Sequence, residues 1–194
     1  MEGKEKTKKA VIFLADGFEE VEAVTPIDFL RRAGIEVTVV SLNDNGISTG
    51  SHRIPVAADV NLTEFAARFT ADEWDAVLLP GGMPGASNLA ASETVGTMLK
   101  ALAGKGALIA AICAAPAVVL YPLGLLAGRR FTCYPGLEEA VTGAQWAKDD
   151  AVISGNIITS RGAGTAGTWA VAIICRLLGE DAAGKTAAAV LIPR

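Results

Sequence analysis

Gly106 to Pro116 reads G-A-L-I-A-A-I-C-A-A-P. An apolar run passes straight into Cys113, two alanines follow, and Pro116 opens the next element. Strand, nucleophile and helix in immediate succession make the layout of a nucleophile elbow, where small residues two before and two after the nucleophile permit a sharp turn. Ala111 and Ala115 hold those positions here. A thiol at this point faces the start of the following helix, whose dipole favours thiolate. Most cysteines are nevertheless small buried core residues. Read alone, the segment leaves both roles open for Cys113.

Working outward, apolar runs and helical spacings alternate along the chain. Lys9 to Leu14, Glu36 to Leu42, Val77 to Leu79 and Leu108 to Ile112 read as strands. Val152 to Ser160 reads as a hairpin with Gly155-Asn156 at its tip, and Asn45-Gly46 is a hairpin-type turn. Helical spacing appears in Val21, Val24, Ile27 and Leu30 up to Gly34, in Ser92 to Ala103, in Pro116 to Leu120, and up to Leu178. Short apolar strands separated by helices predict an α/β domain with a parallel sheet and helices on both faces. Met1 to Lys9 is polar and lysine-rich without an apolar export core, so residues 1–8 are expected to be a solvated tail, residues 9–194 a single domain, and the compartment cytoplasmic.

Composition excludes several classes. The 194 residues are 51% hydrophobic and 20% charged, which is not a disordered composition. A membrane span needs ~20 unbroken apolar residues; the longest candidate, Ala107 to Leu126, is cut by Pro116, Pro122 and Gly124 and reads as core. A net charge of −4 offers no field for phosphate backbones, so no nucleic-acid partner is expected. Three cysteines without C-x-x-C spacing and one histidine, His52, argue against a disulfide framework and a zinc site.

In an open α/β sheet, chemistry collects beyond the carboxyl ends of the strands. Gly17 to Glu22, G-F-E-E-V-E, puts three carboxylates at such an end. Glu19 and Glu20 suit a first helical turn. Glu22 lies between Val21 and Ala23 on a segment that must pack on the sheet, where a poorly solvated carboxyl stays protonated near neutrality. Such a group can hydrogen-bond a thiolate and pass protons. Where this helix begins is open: propensity starts it at Pro26 with Thr25 as cap, leaving Glu22 on a loop.

G-F-E-E-V-E, L-P-G-G-M-P-G (Leu79 to Gly85), A-A-I-C-A-A-P (Ala110 to Pro116) and T-S-R-G-A-G-T (Thr159 to Thr165) occur in the order and spacing of the ThiJ/PfpI superfamily. The sequence resembles its parkinsonism-associated deglycase branch from about Lys9 to Leu178. The resemblance implies a flavodoxin-like sandwich, usually a homodimer, with no cofactor. It implies Cys113 as the reactive, oxidisable cysteine and Glu22 as its protonated partner, with the helix starting near Glu20. Backbone N–H groups of the Gly81-Gly82 turn and of Ala114 would serve an oxyanion. Glu19, Tyr134, Cys133, Ser160 and Arg161 would line the site. Arg53, with Arg31 or Arg32, would bind an anion, although these helix-terminal arginines already complement a dipole.

The expected activity is cofactor-independent conversion of α-oxoaldehydes such as methylglyoxal, or of their early glycated adducts, with Cys113 as nucleophile and Glu22 as general acid/base. The alternative is a redox-sensing chaperone or stress protein whose Cys113 is oxidised to sulfinate. A cysteine peptidase is a third reading. It lacks its histidine: the protease-like branch places one where Ala114 stands, and the deglycase branch often has one where Tyr134 stands. Cys133 reads as buried and structural in preference to a resolving thiol, Cys175 as core, and His52 as part of a solvated loop. Gly162 to Gly167 matches the dinucleotide fingerprint G-x-G-x-x-G, but too little chain follows for a second nucleotide-binding half. Those glycines are expected instead to allow close packing of the last helix on the sheet and around the cysteine.

Overall fold

The computed structural model describes residues 6–192. Its elements, in chain order, are β1 (Lys9–Leu14), α1 (Glu20–Arg32), β2 (Glu36–Ser41), β3 (Ile47–Thr49), β4 (Pro55–Ala57), β5 (Val60–Asn61) and α2 (Leu62–Arg68). They continue with β6 (Ala76–Leu79), α3 (Gly85–Ala91), α4 (Glu93–Gly104), β7 (Leu108–Ile112) and a π-helical turn, Pro116–Leu120. The last are β8 (Arg130–Phe131), β9 (Gln145–Trp146), β10 (Ala151–Ser154), β11 (Ile157–Ser160), α5 (Ala166–Leu178) and α6 (Glu180–Ala189). Of the tail expected over 1–8, residues 1–5 lie outside the described residues, and Lys8 reaches Asp75 at 3.1 Å.

Seven strands form the central sheet in the order β10-β11-β7-β6-β1-β2-β5, parallel throughout except for β10 against β11. The fold is the expected flavodoxin-like α/β sandwich. The alternation of side chains along β1 shows how the strand serves both layers. Ala10, Ile12 and Leu14 face one core with α1 and α5, while Val11 and Phe13 face the other with α2 and α4. Because both faces are covered, the inner strands are continuous apolar runs without polar alternation. The stretch over Ala107 to Leu126 is core, as its interruptions suggested, and no helix among the described residues is long and apolar enough to cross a membrane.

Several local expectations are corrected. The buried stripe of α1 is Ala23, Pro26, Ile27 and Leu30, whereas Val21 and Val24 are each 48% exposed. The helix starts at Glu20 and carries Pro26 inside it, which resolves the open question at its N-terminus. Asn45-Gly46 joins β2 to β3, which do not pair; the hairpin there is β3–β4, closed by the Gly50 N–H to Ile54 carbonyl bond at 3.0 Å. Pro116 to Leu120 is a π-helical turn, not an α-helix. Three helices, α2, α3 and α6, have no counterpart in the sequence reading.

Trp169 on α5 is fully buried against the sheet. Trp169→Ala is expected to destabilise the fold by about 3–5 kcal/mol, measured as the loss in unfolding free energy by urea titration monitored by far-UV circular dichroism.

Candidate active site

The chain lays β2 and β5 on one side of β1, then β6, β7 and β11 on the other. The direction of winding therefore reverses between β1 and β6, and that switch point leaves a crevice beyond the carboxyl ends of the strands. Residues following β1, β6 and β7 meet there.

After β1, Phe18 closes a turn on the Ala15 carbonyl, and α1 begins at Glu20. Two helical positions on, the helix carries Glu22 into the crevice with no solvent exposure. After β6, Gly81 donates its N–H to Glu22 Oε2 at 2.8 Å. The other carboxyl oxygen, Oε1, is buried without a protein hydrogen-bond partner. After β7, Cys113 takes a φ of +63°, a left-handed conformation that costs energy in any residue with a Cβ. Its N–H is held by the Ser160 carbonyl at 2.9 Å and its carbonyl by the Tyr134 N–H at 2.8 Å, so the neighbouring backbone enforces the bend. This is the nucleophile elbow expected from the sequence.

The Cys113 thiol lies beside the Glu22 carboxyl, and the N–H groups of Gly82 and Ala114 lie beside the sulfur. Burial pushes Glu22 from 4.5 up to about 7, against the pull of the Gly81 N–H and the thiol. Burial, and then the charge of Glu22, push Cys113 from 9.0 up to about 12; the Gly82 and Ala114 amides pull the other way. This corrects the dipole-stabilised thiolate expected from sequence. The element after Cys113 is a five-residue π-helical turn, too short for a substantial macrodipole, and a carboxylate shares the thiol's cavity. Cysteine and glutamate hold two acidic protons between them, and near neutrality only the more acidic of the pair comes off. The carboxyl, titrating near 7, is poised to accept the thiol proton as sulfur attacks an electrophile.

The other expected site residues divide clearly. Gly81 is not an oxyanion donor, because its N–H is committed to Glu22 and its carbonyl accepts the Glu19 N–H at 3.0 Å. A Cβ there would stand 2.6 Å from the Cys113 Cβ and 2.9 Å from Glu22 Oε2, so the position admits only glycine. Gly82 and Ala114 are the amides that lie beside the sulfur. Tyr134 is half-exposed beside the elbow. Ser160 contributes its carbonyl alone; its hydroxyl bonds the Asp150 carbonyl at 2.6 Å and the Thr165 hydroxyl at 2.7 Å. Arg161 lines the neighbouring cleft with its Nε buried and unpartnered. Cys133 is fully buried in the core on the α2/α4 side, while Cys113 packs on the α1/α5 side; this supports the structural reading of Cys133. Cys175 is partly buried on that same α1/α5 side.

The three arginines do not form an anion site. Arg31 bonds the Val37 carbonyl at 2.9 Å and Asp59 at 3.0 Å, and Arg32 bonds Asp28 at 2.6 Å. Both end α1, whereas Arg53 sits on the β3–β4 tip, which packs against the other end of that helix. His52 is not merely a solvated loop residue either. Its Nδ1 lies 2.9 Å from the buried Glu20, whose carboxylate also accepts the His52 N–H at 2.7 Å. The hydrogen bond to Glu20, with the charges of Glu19 and Glu20, raises the histidine above its ordinary pKa. Sequence reasoning assigned Glu20 to dipole complementarity and missed this pairing; no local signal links residues so far apart. Glu19, Glu20 and His52 bring three ligating atoms within 4.8 Å of one another, the one such group among the described residues, but Glu20 is already engaged by histidine and hairpin amides. Of the G-x-G-x-x-G glycines only Gly167 is crowded, by Ile192 and Phe29 of α1; a Cβ at Gly162 would make ordinary contacts with Tyr134 and Glu22 and one at Gly164 would meet nothing, so the expected close packing on the sheet does not account for them.

The sequence profile described as the DJ-1/PfpI family matches residues 8–176. Protein dj-1beta of Drosophila melanogaster is 38% identical over 188 residues, covering 96% of this chain and 98% of its own. A protein of Pyrococcus abyssi named a deglycase is 33% identical, covering 83% of this chain and 94% of its own. Among solved structures, oxidized DJ-1 of Toxoplasma gondii superposes with a TM-score of 0.92 at 37% identity, covering 97% of this chain and all (100%) of that one.

Burial of Glu22 makes stability depend on pH in a defined direction. Its folded pKa of about 7 exceeds the unfolded value of 4.5, so between these limits the native state holds a proton that the unfolded chain has released, and stability falls as pH rises. Glu22→Gln cannot ionise. The variant is expected to be more stable than the parent above pH 7 by roughly 2–3 kcal/mol, with the gap closing towards pH 5. Paired denaturant titrations across that range measure it; a gap that is constant with pH contradicts the assignment.

Proposed function

Since the chain belongs to the DJ-1/PfpI family, we propose that it is a cofactor-independent enzyme acting on α-oxoaldehydes such as methylglyoxal or on their early adducts with amines and thiols. The observation that carries this reading is the buried Glu22 carboxyl, anchored by the Gly81 N–H beside the thiol of a cysteine at φ +63°.

The chemistry follows from that arrangement. Cys113 sulfur attacks the aldehyde carbon of methylglyoxal while its proton passes to Glu22, and the resulting oxyanion is received by the N–H groups of Gly82 and Ala114. The product of addition is a hemithioacetal. Glu22 then moves the proton from the former aldehyde carbon to the adjacent carbonyl carbon through an enediol, leaving a thioester of lactate on Cys113. Water cleaves the thioester, releasing lactate and restoring the thiol, so the sum is methylglyoxal plus water to lactate. With an adduct as substrate, Cys113 takes over the carbinol carbon as the amine or thiol departs, and the remaining steps are the same.

A second reading is supported by the same two amides. Gly82 and Ala114, beside the sulfur, would equally hold the oxygens of a sulfinate, which suits a redox-sensing stress protein. The homodimer belongs to the proposal as well. The half-exposed Val21 and Val24 of α1, and the exposed Ile54 on the hairpin, whose N–H reaches Glu20 of that helix, are apolar side chains suited to contact with a second copy.

The deciding assay is lactate formation from methylglyoxal. Cys113→Ser and Glu22→Gln are each expected to lower kcat/KM by at least about 10²-fold. In the wild type, kcat/KM should rise with pH through about 7 as Glu22 becomes able to take the thiol proton. Absence of turnover in the wild type, together with addition of two oxygens to Cys113 by mild peroxide, would select the sensor reading instead.

A further inference from the structure

Beside the cysteine–glutamate pair opens a cleft of about 340 Å³, lined by Tyr134, Pro135, Arg161, Gly162, Ala163 and Thr165. It adjoins the reacting groups through Gly162. A Cβ at that position would lie 3.9 Å from the unpartnered Glu22 Oε1 and 3.7 Å from the Tyr134 ring. Tyr134 in turn bonds the Cys113 carbonyl through its N–H, at 2.8 Å. An adduct whose carbinol carbon stands at Cys113 therefore has this cleft as the place for its amine or thiol arm before that arm departs.

The cleft walls are mostly apolar, with one cation among them. Arg161 has its Nε–H buried and without an acceptor, and no carboxylate among the described residues lies within ion-pair distance of it. Burying a charged donor unsatisfied is costly, and guanidinium finds its best partner in a planar carboxylate that can accept two parallel N–H bonds. The cleft floor, Gly162 to Thr165, leads into the 13-residue α5, whose N-terminal partial positive charge has the same preference. Glu20, Arg31 and Arg32, by contrast, all have partners.

We propose that Arg161 is the specificity-determining residue of the site and takes the carboxylate of an adduct's leaving arm. The preferred substrates are then α-oxoaldehyde adducts of carboxylate-bearing amines or thiols, amino-acid derivatives above all, with the aldehyde carbon at Cys113 and the side arm over Tyr134. This rests on the adduct-processing reading given above. Methylglyoxal itself has no carboxylate and does not use Arg161.

The test compares methylglyoxal hemithioacetals of N-acetylcysteine, which carries a carboxylate, and of N-acetylcysteinamide, which does not. Wild-type protein is expected to show a KM about tenfold lower for the acid. Arg161→Gln should raise that KM about tenfold relative to the amide's, removing the preference, and Arg161→Lys should recover part of it. Equal effects on acid and amide, or no effect on either, overturn the assignment. A readout without turnover separates this from failure of the catalytic reading: alkylation of Cys113 by iodoacetamide, followed by mass spectrometry of its peptide. N-acetylalanine, but not N-acetylalaninamide, should slow alkylation of the wild type and not of Arg161→Gln. Protection without turnover keeps the carboxylate site and rejects the enzyme; turnover without acid selectivity or protection keeps the enzyme and rejects the site.

Discussion

The hydrogen bond from the Gly81 N–H to Glu22 is the contact on which the site depends. It fixes one carboxyl oxygen of a side chain that has no solvent exposure, and leaves the other on the side of Gly162 without a protein partner. Without it Glu22 would have neither position nor compensation for its burial. The bond requires β1 and β6 to be neighbours, α1 to start at Glu20, and the turn after β6 to have no side chain that would separate the two partners. The sheet order, the helix start and the glycine are thus three conditions for one proton-transfer geometry.

Strain and burial are concentrated in the same place. Cys113 is held in left-handed backbone by its neighbours, and burial disfavours ionisation of both its thiol and the Glu22 carboxyl, with the charge of Glu22 adding to the cost for the thiol. A carboxyl near 7 in a dry pocket costs stability at neutral pH that a neutral side chain would not. The rest of the molecule supplies the compensation through two apolar cores, one on each face of the sheet, and through hydrogen bonds that leave the elbow little freedom to relax.

Much of this could be read from residue order alone, and the failures have identifiable causes. The strands were legible because β1, β6 and β7 are buried on both sides and so consist of unbroken apolar residues. The elbow was legible because Cys113 stands between small residues at a strand end. The stripe of α1 was misread because valines 21 and 24 fit a helical period as well as Ala23, Pro26, Ile27 and Leu30 do; a glycine- and alanine-rich interior lets small residues face the sheet. Helix α2 buries Phe65 alone, and α6 buries only Ala183 and Thr186, so neither carries an apolar periodicity to detect. The Glu20–His52 pair and the engagement of Gly81 by Glu22 are tertiary contacts between distant segments, and the charge state of Cys113 depends first on its burial, which the sequence around it does not measure.

The two margins of the central sheet bear on how this molecule meets others of its kind. One is β10, four residues folded back antiparallel on β11; the other is β5, two residues long and followed at once by α2. Unpaired N–H and carbonyl groups along a strand are a template for adding a foreign strand, and short margins such as these present few of them. Strand-by-strand growth into an extended aggregate therefore has almost no starting surface. Edge-to-edge pairing of the central sheet is therefore disfavoured as a way for one copy of this chain to meet another.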